Sequence, residues 1–87
     1  MPEISRFFGI IIKMFFLDHS PPHFHVEYSG FKAIINIKTQ EIIEGELPAK
    51  QLKLVQAWAI IHETELETNF INLNSDQPSW KKIEPLK

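Results

Sequence analysis

Residues 23–37 of this 87-residue chain read HFHVEYSGFKAIINI, two alternating runs separated by the dipeptide Ser29-Gly30. In the first run the apolar residues alternate with polar ones: Phe24, Val26 and Tyr28 against His23, His25 and Glu27. Alternation of this kind is typical of a strand with one face on a hydrophobic core, and Ser-Gly is typical of a tight turn. The stretch therefore predicts an antiparallel β-hairpin that carries both histidines on its polar face.

The chain on either side of this hairpin also has the pattern of strands. Residues 6–17 are rich in Ile and Phe in both alternating sets, which predicts one central strand covered on two sides, or partly covered by a partner. Pro21 and Pro22 end that strand, because each lacks a backbone donor. Beyond the hairpin, residues 38–40 predict a turn and residues 41–44 predict a short further strand.

The second half of the chain changes from a strand period to a helical one. Pro48 suits the first turn of a helix, and apolar residues then recur three or four positions apart as far as Phe70. An uninterrupted helix to residue 73 is long for so small a domain, so we expect a bend near residues 62–64.

These patterns predict a single α+β domain over residues 1–87. An antiparallel β-meander of three to four strands occupies residues 1–45, one long or two consecutive helices occupy residues 48–73, and a tail anchored by Trp80 occupies residues 77–87. A helical stripe packed on one face of the sheet is the simplest arrangement of these parts.

The composition excludes several classes of protein. Hydrophobic residues make up 44% of the chain, and nine Lys and Arg against eleven Asp and Glu give a net charge of −2. A strongly basic nucleic-acid binder does not have this balance, so any contact with RNA must be local and involve few charges. The absence of cysteine excludes disulfides, thiolate metal ligands and a cysteine nucleophile.

The longest apolar stretch, residues 7–17, does not have the pattern of a membrane or export segment. It is about half the length that spans a bilayer, and Lys13 interrupts it. Arg6 is the only basic residue before it, and no small-residue cleavage site follows. We therefore expect no membrane association and a cytoplasmic protein.

The segment most suggestive of chemistry, residues 18–25, reads DHSPPHFH and contains three of the four histidines. On a strand, the Cα atoms of His23 and His25 lie about 6.5–7 Å apart on one face, so their rings can converge on one ion or one substrate atom. The two prolines stiffen the loop. His19 can approach the same point across the Pro-Pro turn, and Asp18 can orient a ring through its free nitrogen.

Three interpretations of this segment remain open. In the first, His19, His23, His25 and Asp18 form a catalytic site without a cofactor, with one histidine as general base and another as general acid, which suits RNA cleavage near neutral pH. In the second, His19, His23 and His25 bind a divalent metal such as zinc, with Asp18 as fourth ligand or as hydrogen-bond partner. In the third, the histidines lie on a solvated sheet face, or pack against the helix or a partner protein.

Three charged residues are candidates for substrate binding. Lys13 beside the histidines would favour a phosphate-handling pocket, and the simpler alternative is a side chain that extends to solvent. Arg6 offers a second cation at the start of the same predicted strand. Glu27 shares a strand face with the histidines and can orient a ring. Trp58 and His62, four residues apart on one helical face, predict core packing.

Several motifs flank the histidine segment. Residues 1–10 read MPEISRFFGI, residues 42–48 read IIEGELP and residues 83–86 read IEPL. Together with DHSPPHFHV and the pair Trp58 and His62, they extend over essentially the whole chain. In these motifs the chain resembles a family of small bacterial proteins that are catalogued as a domain of unknown function.

The resemblance implies a function for the same residues. Members of the family are similar to the presumed toxin of small two-gene toxin–antitoxin modules, and they are often encoded beside a second small domain of unknown function that would act as antitoxin. The family motif falls on Asp18, His19, His23 and His25. The expectation is therefore a toxin component with a ribonuclease-like activity on RNA or translation.

Two other functions remain open. The first is a non-enzymatic interaction or regulatory module that binds a small partner protein through the apolar first strand, with Phe7 or Phe15 as docking residues, and through the histidine face. The second is a metal-dependent hydrolase. We also consider a homodimer, because a domain this small gains stability from self-association.

Overall fold

A computed structural model describes residues 2–87 of the chain. It contains one antiparallel sheet with strand order β1-β2-β3-β4-β5, followed by two helices. The elements are β1 (Glu3–Phe7), β2 (Ile10–Lys13), β3 (His23–Tyr28), β4 (Phe31–Asn36), β5 (Ile42–Gly45), α1 (Ala49–Ile61) and α2 (Glu63–Leu73). The predicted α+β meander with two consecutive helices is thus confirmed, with five strands instead of three to four.

The hairpin of β3 and β4 forms as predicted. His25 of β3 lies opposite Ile34 of β4 in the register. Ser29 and Gly30 have positive φ angles of 44° and 88°, as in a type I′ turn, whose twist matches that of paired strands. Phe24 is fully buried in the core, so His25 projects from the opposite face of the sheet.

The prediction of one long strand over residues 6–17 is wrong. The chain reverses at Phe8 and Gly9, whose φ angles of 50° and 78° form a tight turn between β1 and β2. Glycine adopts such an angle without steric cost, so Gly9 permits the reversal. Phe7 then lies opposite Ile10, and both side chains are buried. Two strands therefore replace the predicted one. Phe7 and Ile10, which a single strand would place on opposite faces, lie in the same core.

The predicted bend between the helices is confirmed at His62, whose φ and ψ angles of −110° and 24° separate α1 from α2. Both helices pack on one face of the sheet. Trp58 of α1 is fully buried there, and its ring centroid lies 5.4 Å from that of Phe7 and 5.9 Å from that of Phe24. Within residues 2–87, neither helix is both long and apolar enough to cross a bilayer.

The C-terminal tail is held against the helices and β1. The side chain of the buried Asn69 donates to the carbonyl oxygen of Lys81 at 2.8 Å and accepts the Lys81 N–H at 2.9 Å. The N–H of Ile83 donates to the carbonyl oxygen of Ile4 at 3.0 Å, and the Ile83 side chain is buried. Trp80 packs, partly buried, on the core, which agrees with its predicted role as an anchor.

The second face of the sheet is not covered by a helix of the described chain. It carries alternate residues of the three central strands, among them Lys13, His25, Glu27 and Ile34, each of them partly exposed. One face therefore supplies the core, while the other presents side chains to solvent and holds the histidine segment.

Candidate functional site

Asp18, His23 and His25 converge into what we call the Asp–His–His cluster. One nitrogen or oxygen atom from each of the three side chains lies within 4.8 Å of the others. The Oδ2 atom of Asp18 is 2.8 Å from Nε2 of His23 and 3.1 Å from Nε2 of His25. The alternation of β3 places both rings on one face, and the loop between β2 and β3 brings the carboxylate to them.

His23 is the more buried of the two histidines, with 8% of its side chain exposed. Its Nδ1 atom lies 2.7 Å from the carbonyl oxygen of Pro21, and its ring packs against that of Phe70 in α2. A carbonyl oxygen only accepts hydrogen bonds, so Nδ1 of His23 carries the proton. Nε2 of His23 then donates to the Asp18 carboxylate when the ring is protonated on both nitrogens, and presents a lone pair to it when the ring is neutral.

His25 has 22% of its side chain exposed and is the more accessible ring. It lies in the centre of the sheet, opposite Lys13 of β2 and Ile34 of β4. The ring of Phe15 meets it edge-on at a centroid distance of 4.1 Å. Pairing on both sides and this contact hold the ring in place, as a functional side chain requires.

Two hydrogen bonds donated by backbone N–H groups hold Asp18 in position. The N–H of Leu17 donates to the carbonyl oxygen of Leu73 at 3.5 Å, and the N–H of His19 donates to Asp18 Oδ1 at 3.1 Å. Burial would raise the pKa of the Asp18 carboxyl, but the hydrogen bond from His25, the charge of His23 and the His19 N–H outweigh burial and lower this pKa. Asp18 is therefore a carboxylate at neutral pH.

The cluster lies in the wall of a depression on the uncovered face, which we call the sheet-face groove. One part of the groove has a volume of about 400 Å³ and is bordered by residues that include Phe15, His25, Glu27, Lys32, Ile34 and Glu44. The other part, of about 280 Å³, contains Asp18, His19 and His23. His25, Ile34 and Glu44 border both parts, so the two adjoin. This size suits a small ligand or one unit of a polymer.

The structure brings three of the four predicted catalytic residues together and leaves His19 outside the cluster. Asp18, and not His19, completes the convergent set with His23 and His25 among residues 2–87. His19 is exposed on the rim of the groove, and its backbone N–H binds Asp18. The imidazole of His19 is therefore available to a ligand at the rim.

The predicted substrate-binding residues lie at different places. Lys13 neighbours His25 in the register, and its Nζ atom is 3.0 Å from Oε2 of Glu27, so each neutralises the other. Arg6 lies on the edge strand β1 and pairs with Glu3 at 2.7 Å, away from the residues that border the groove.

Sequence reasoning missed two residues that line the groove, Lys32 and Glu44, and considered Phe15 only as a docking residue for a partner protein. Lys32 was recognisable, since the alternation of β4 places it on the same face as Glu27 opposite. Glu44 lies opposite Ile34, across an irregular register that no sequence pattern indicates.

The fold and the cluster define a small α+β protein with an Asp–His–His centre on the open face of an antiparallel sheet. The chain belongs to the family described as Domain of unknown function (DUF4160), whose model matches residues 9–70. The matched residues include the whole cluster, which confirms the resemblance to a domain of unknown function. No curated protein and no solved structure matches the chain.

Proposed function

We propose that this protein is the toxin component of a bacterial, cytoplasmic two-gene toxin–antitoxin module, and that it acts on RNA or translation through the Asp–His–His cluster. The observation that supports this most is the convergence of Asp18, His23 and His25 in the wall of a solvent-open groove. Acid–base chemistry requires titratable groups within hydrogen-bond reach of the substrate, and the cluster offers them on the accessible face of the sheet.

The lining of the groove suits a segment of single-stranded RNA. Lys32 makes no ion pair with any of residues 2–87, so its ammonium group is free to contact a phosphate. Phe15 offers an aromatic ring for stacking by a base. The net charge of −2 makes this a local contact with few phosphates instead of a broad electrostatic surface.

RNA cleavage at this site requires two proton transfers. The 2′ oxygen bonds to phosphorus and loses its proton to a base, while the bond from phosphorus to the 5′ oxygen breaks and that oxygen gains a proton. His25 borders both parts of the groove, so its ring can reach a substrate in either part. Asp18 and His23 orient and polarise the His25 ring. His19 lies on the rim of the part of the groove that also contains Asp18 and His23.

Expression in a bacterium that lacks the partner gene tests this proposal. We expect the wild-type protein to stop growth and to change the pattern of cellular RNA, and we expect His25→Ala to abolish both effects. His62→Gln is the matched control, because His62 lies at the junction of the helices and pairs with Glu65 instead of joining the cluster. Co-expression of the small protein encoded beside the gene should restore growth.

Two results would contradict the proposal. In the first, growth and RNA stay normal although the wild-type protein accumulates in folded form. In the second, His25→Ala is as toxic as the wild type. Circular dichroism of each purified variant shows that a loss of toxicity does not come from unfolding.

A non-enzymatic interaction module is the second candidate, and the exposed apolar residues favour it. Leu17 is 74% exposed, and Ile60, Ile61 and Ile71 on the helices are 63%, 65% and 66% exposed. Phe7, an expected docking residue, is buried in the core and is not available to a partner. For this function, binding of the neighbouring gene product should survive His25→Ala and be lost in a variant that combines Ile60→Asp with Ile61→Asp. Sedimentation separates such a complex from a homodimer.

A further inference from the structure

We infer that the Asp–His–His cluster binds one divalent transition-metal ion, best matched by zinc, through Oδ2 of Asp18 and the Nε2 atoms of His23 and His25. The inference deepens the proposed function: with Nε2 of His25 bound to the ion, that nitrogen no longer transfers a proton, and the ion instead polarises a phosphoryl oxygen of the substrate. Only the role assigned to the ion rests on the proposed function. Binding of the ion is a separate property of the three side chains.

The donor atoms and their spacing suit such an ion. Two imidazole nitrogens and one carboxylate oxygen form a common ligand set for catalytic zinc and for non-haem iron. Bonds of about 2.0–2.1 Å at tetrahedral angles place ligand atoms about 3.3–3.5 Å apart. The distances from Asp18 Oδ2 are 2.8 Å to His23 and 3.1 Å to His25, so small side-chain shifts are sufficient to admit the ion.

The orientation of His23 is the second argument. Its Nδ1–H donates to the carbonyl oxygen of Pro21, so in the neutral ring the Nε2 lone pair is directed at Asp18. A lone pair and a carboxylate oxygen 2.8 Å apart repel each other unless a cation or a proton lies with them. Histidines that bind metals typically donate their other ring N–H to a carbonyl or carboxylate in this way, which fixes the tautomer.

The surroundings of the cluster are those of a catalytic instead of a structural metal site. The side chains of His23 and Asp18 are only 8% and 19% exposed, so little water competes for the ion. Catalytic zinc keeps three protein ligands and one position for water or substrate. Here the three ligands border one part of the sheet-face groove, and His19 and Glu44 line that part as well.

The experiment uses the full chain without an affinity tag, dialysed against a chelator and then titrated with zinc chloride near neutral pH. We expect one equivalent of zinc per chain by calorimetry and a rise in Tm, because an ion that binds only the folded state stabilises it. Asp18→Asn and His25→Ala should weaken binding by more than the roughly 10–100-fold that follows loss of an outer hydrogen-bond partner.

Two further measurements keep the test decisive. His62→Gln should bind zinc like the wild type, which excludes a contribution from the one histidine outside residues 18–25. Cobalt substituted for zinc should give the visible absorption of a four-coordinate site in the wild type and lose it in His25→Ala. The buried His23 is left unchanged in these variants, because its removal also creates a cavity.

The inference is overturned if the protein shows no saturable binding of zinc, of manganese or of ferrous iron under anaerobic conditions. It is also overturned by binding that is equal in the wild type, Asp18→Asn and His25→Ala. If no metal binds but His25→Ala abolishes toxicity, a proton occupies the position and the proposed function alone stands. If zinc binds as expected but His25→Ala remains toxic, the metal site stands and the proposed function fails.

Discussion

Asp18 is the residue on which the geometry of the site depends. One oxygen of its carboxylate faces both histidine rings, and the other accepts the N–H of His19. The alternation of His23 and His25 was enough to predict their shared face, and the adjacent sequence position of Asp18 indicated its role. The contact of His23 with the Pro21 carbonyl was not predictable, because a backbone carbonyl has no side-chain signature.

The lowered pKa of Asp18 gives a pH dependence to the stability of the metal-free protein. A carboxyl whose pKa is lower in the folded than in the unfolded state stabilises the fold above its unfolded pKa, about 4. This stabilisation is lost as the pH falls through the folded value. We therefore expect the free energy of unfolding of the wild type to fall towards that of Asp18→Asn as the pH drops below about 4.

Urea unfolding followed by tryptophan fluorescence, on chelator-treated protein at a series of pH values, measures this difference. The comparison with Asp18→Asn cancels the contribution of other carboxyl groups such as Glu3, whose pKa is lowered by the hydrogen bond from Arg6. A gap between the two proteins that stays constant from neutral to acid pH would contradict the prediction.

At the scale of elements, the edge strand β5 depends on Gly45. Its φ angle is +84°, and a Cβ atom built on it would overlap the carbonyl oxygen of Lys32 and lie 2.9 Å from the Cα of Ala33. That same carbonyl accepts the N–H of Glu46 at 3.0 Å. β5 therefore reaches the backbone of β4 this closely only because residue 45 has no side chain.

We expect Gly45→Ala to destabilise the protein by more than about 3 kcal/mol, since it adds a clash with backbone to the strain of a left-handed residue. Gly30→Ala is the matched control: φ is +88°, but nothing lies within 4 Å of the added Cβ, so strain alone should cost about 1–2 kcal/mol. Chemical denaturation of the two variants tests the ranking. Equal losses of stability would show that the close approach of β5 to β4 has no energetic importance.

The prediction of a single first strand was wrong because of one short turn between two elements. A turn of two residues inside a run of Ile and Phe changes the face of every later side chain, and Gly9 alone marks the turn. The bend at His62 was easier to predict, because the length of a helix is limited by the size of the core it covers. His62 then ends α1, with its N–H donating to the Trp58 carbonyl at 3.0 Å.

For the whole molecule, the tail closes the core at the edge of the sheet. Ile83 is buried beside β1, and the indole N–H of Trp58 donates to the carbonyl oxygen of Glu84 at 2.8 Å. The last residues thereby satisfy the polar atom of the largest buried side chain. The tail is therefore part of the fold.

We expect Ile83→Ala to lower the free energy of unfolding by about 2–5 kcal/mol, as is usual when a buried Ile is truncated. Ile60→Ala, at a residue 63% exposed on α1, should change it by no more than about 0.5 kcal/mol. Thermal and urea denaturation of both variants provide the comparison. Equal effects of the two substitutions would mean that the tail contributes nothing to the core.

The order of the elements, the central hairpin and the shared face of His23 and His25 follow from local pattern. Each depends on periodicity and turn chemistry between residues close in the chain. The five-strand count and the pairing of Lys13 with Glu27 depend instead on which strands become neighbours. Only packing settles these contacts, because they join segments whose separation along the chain leaves no periodic signal.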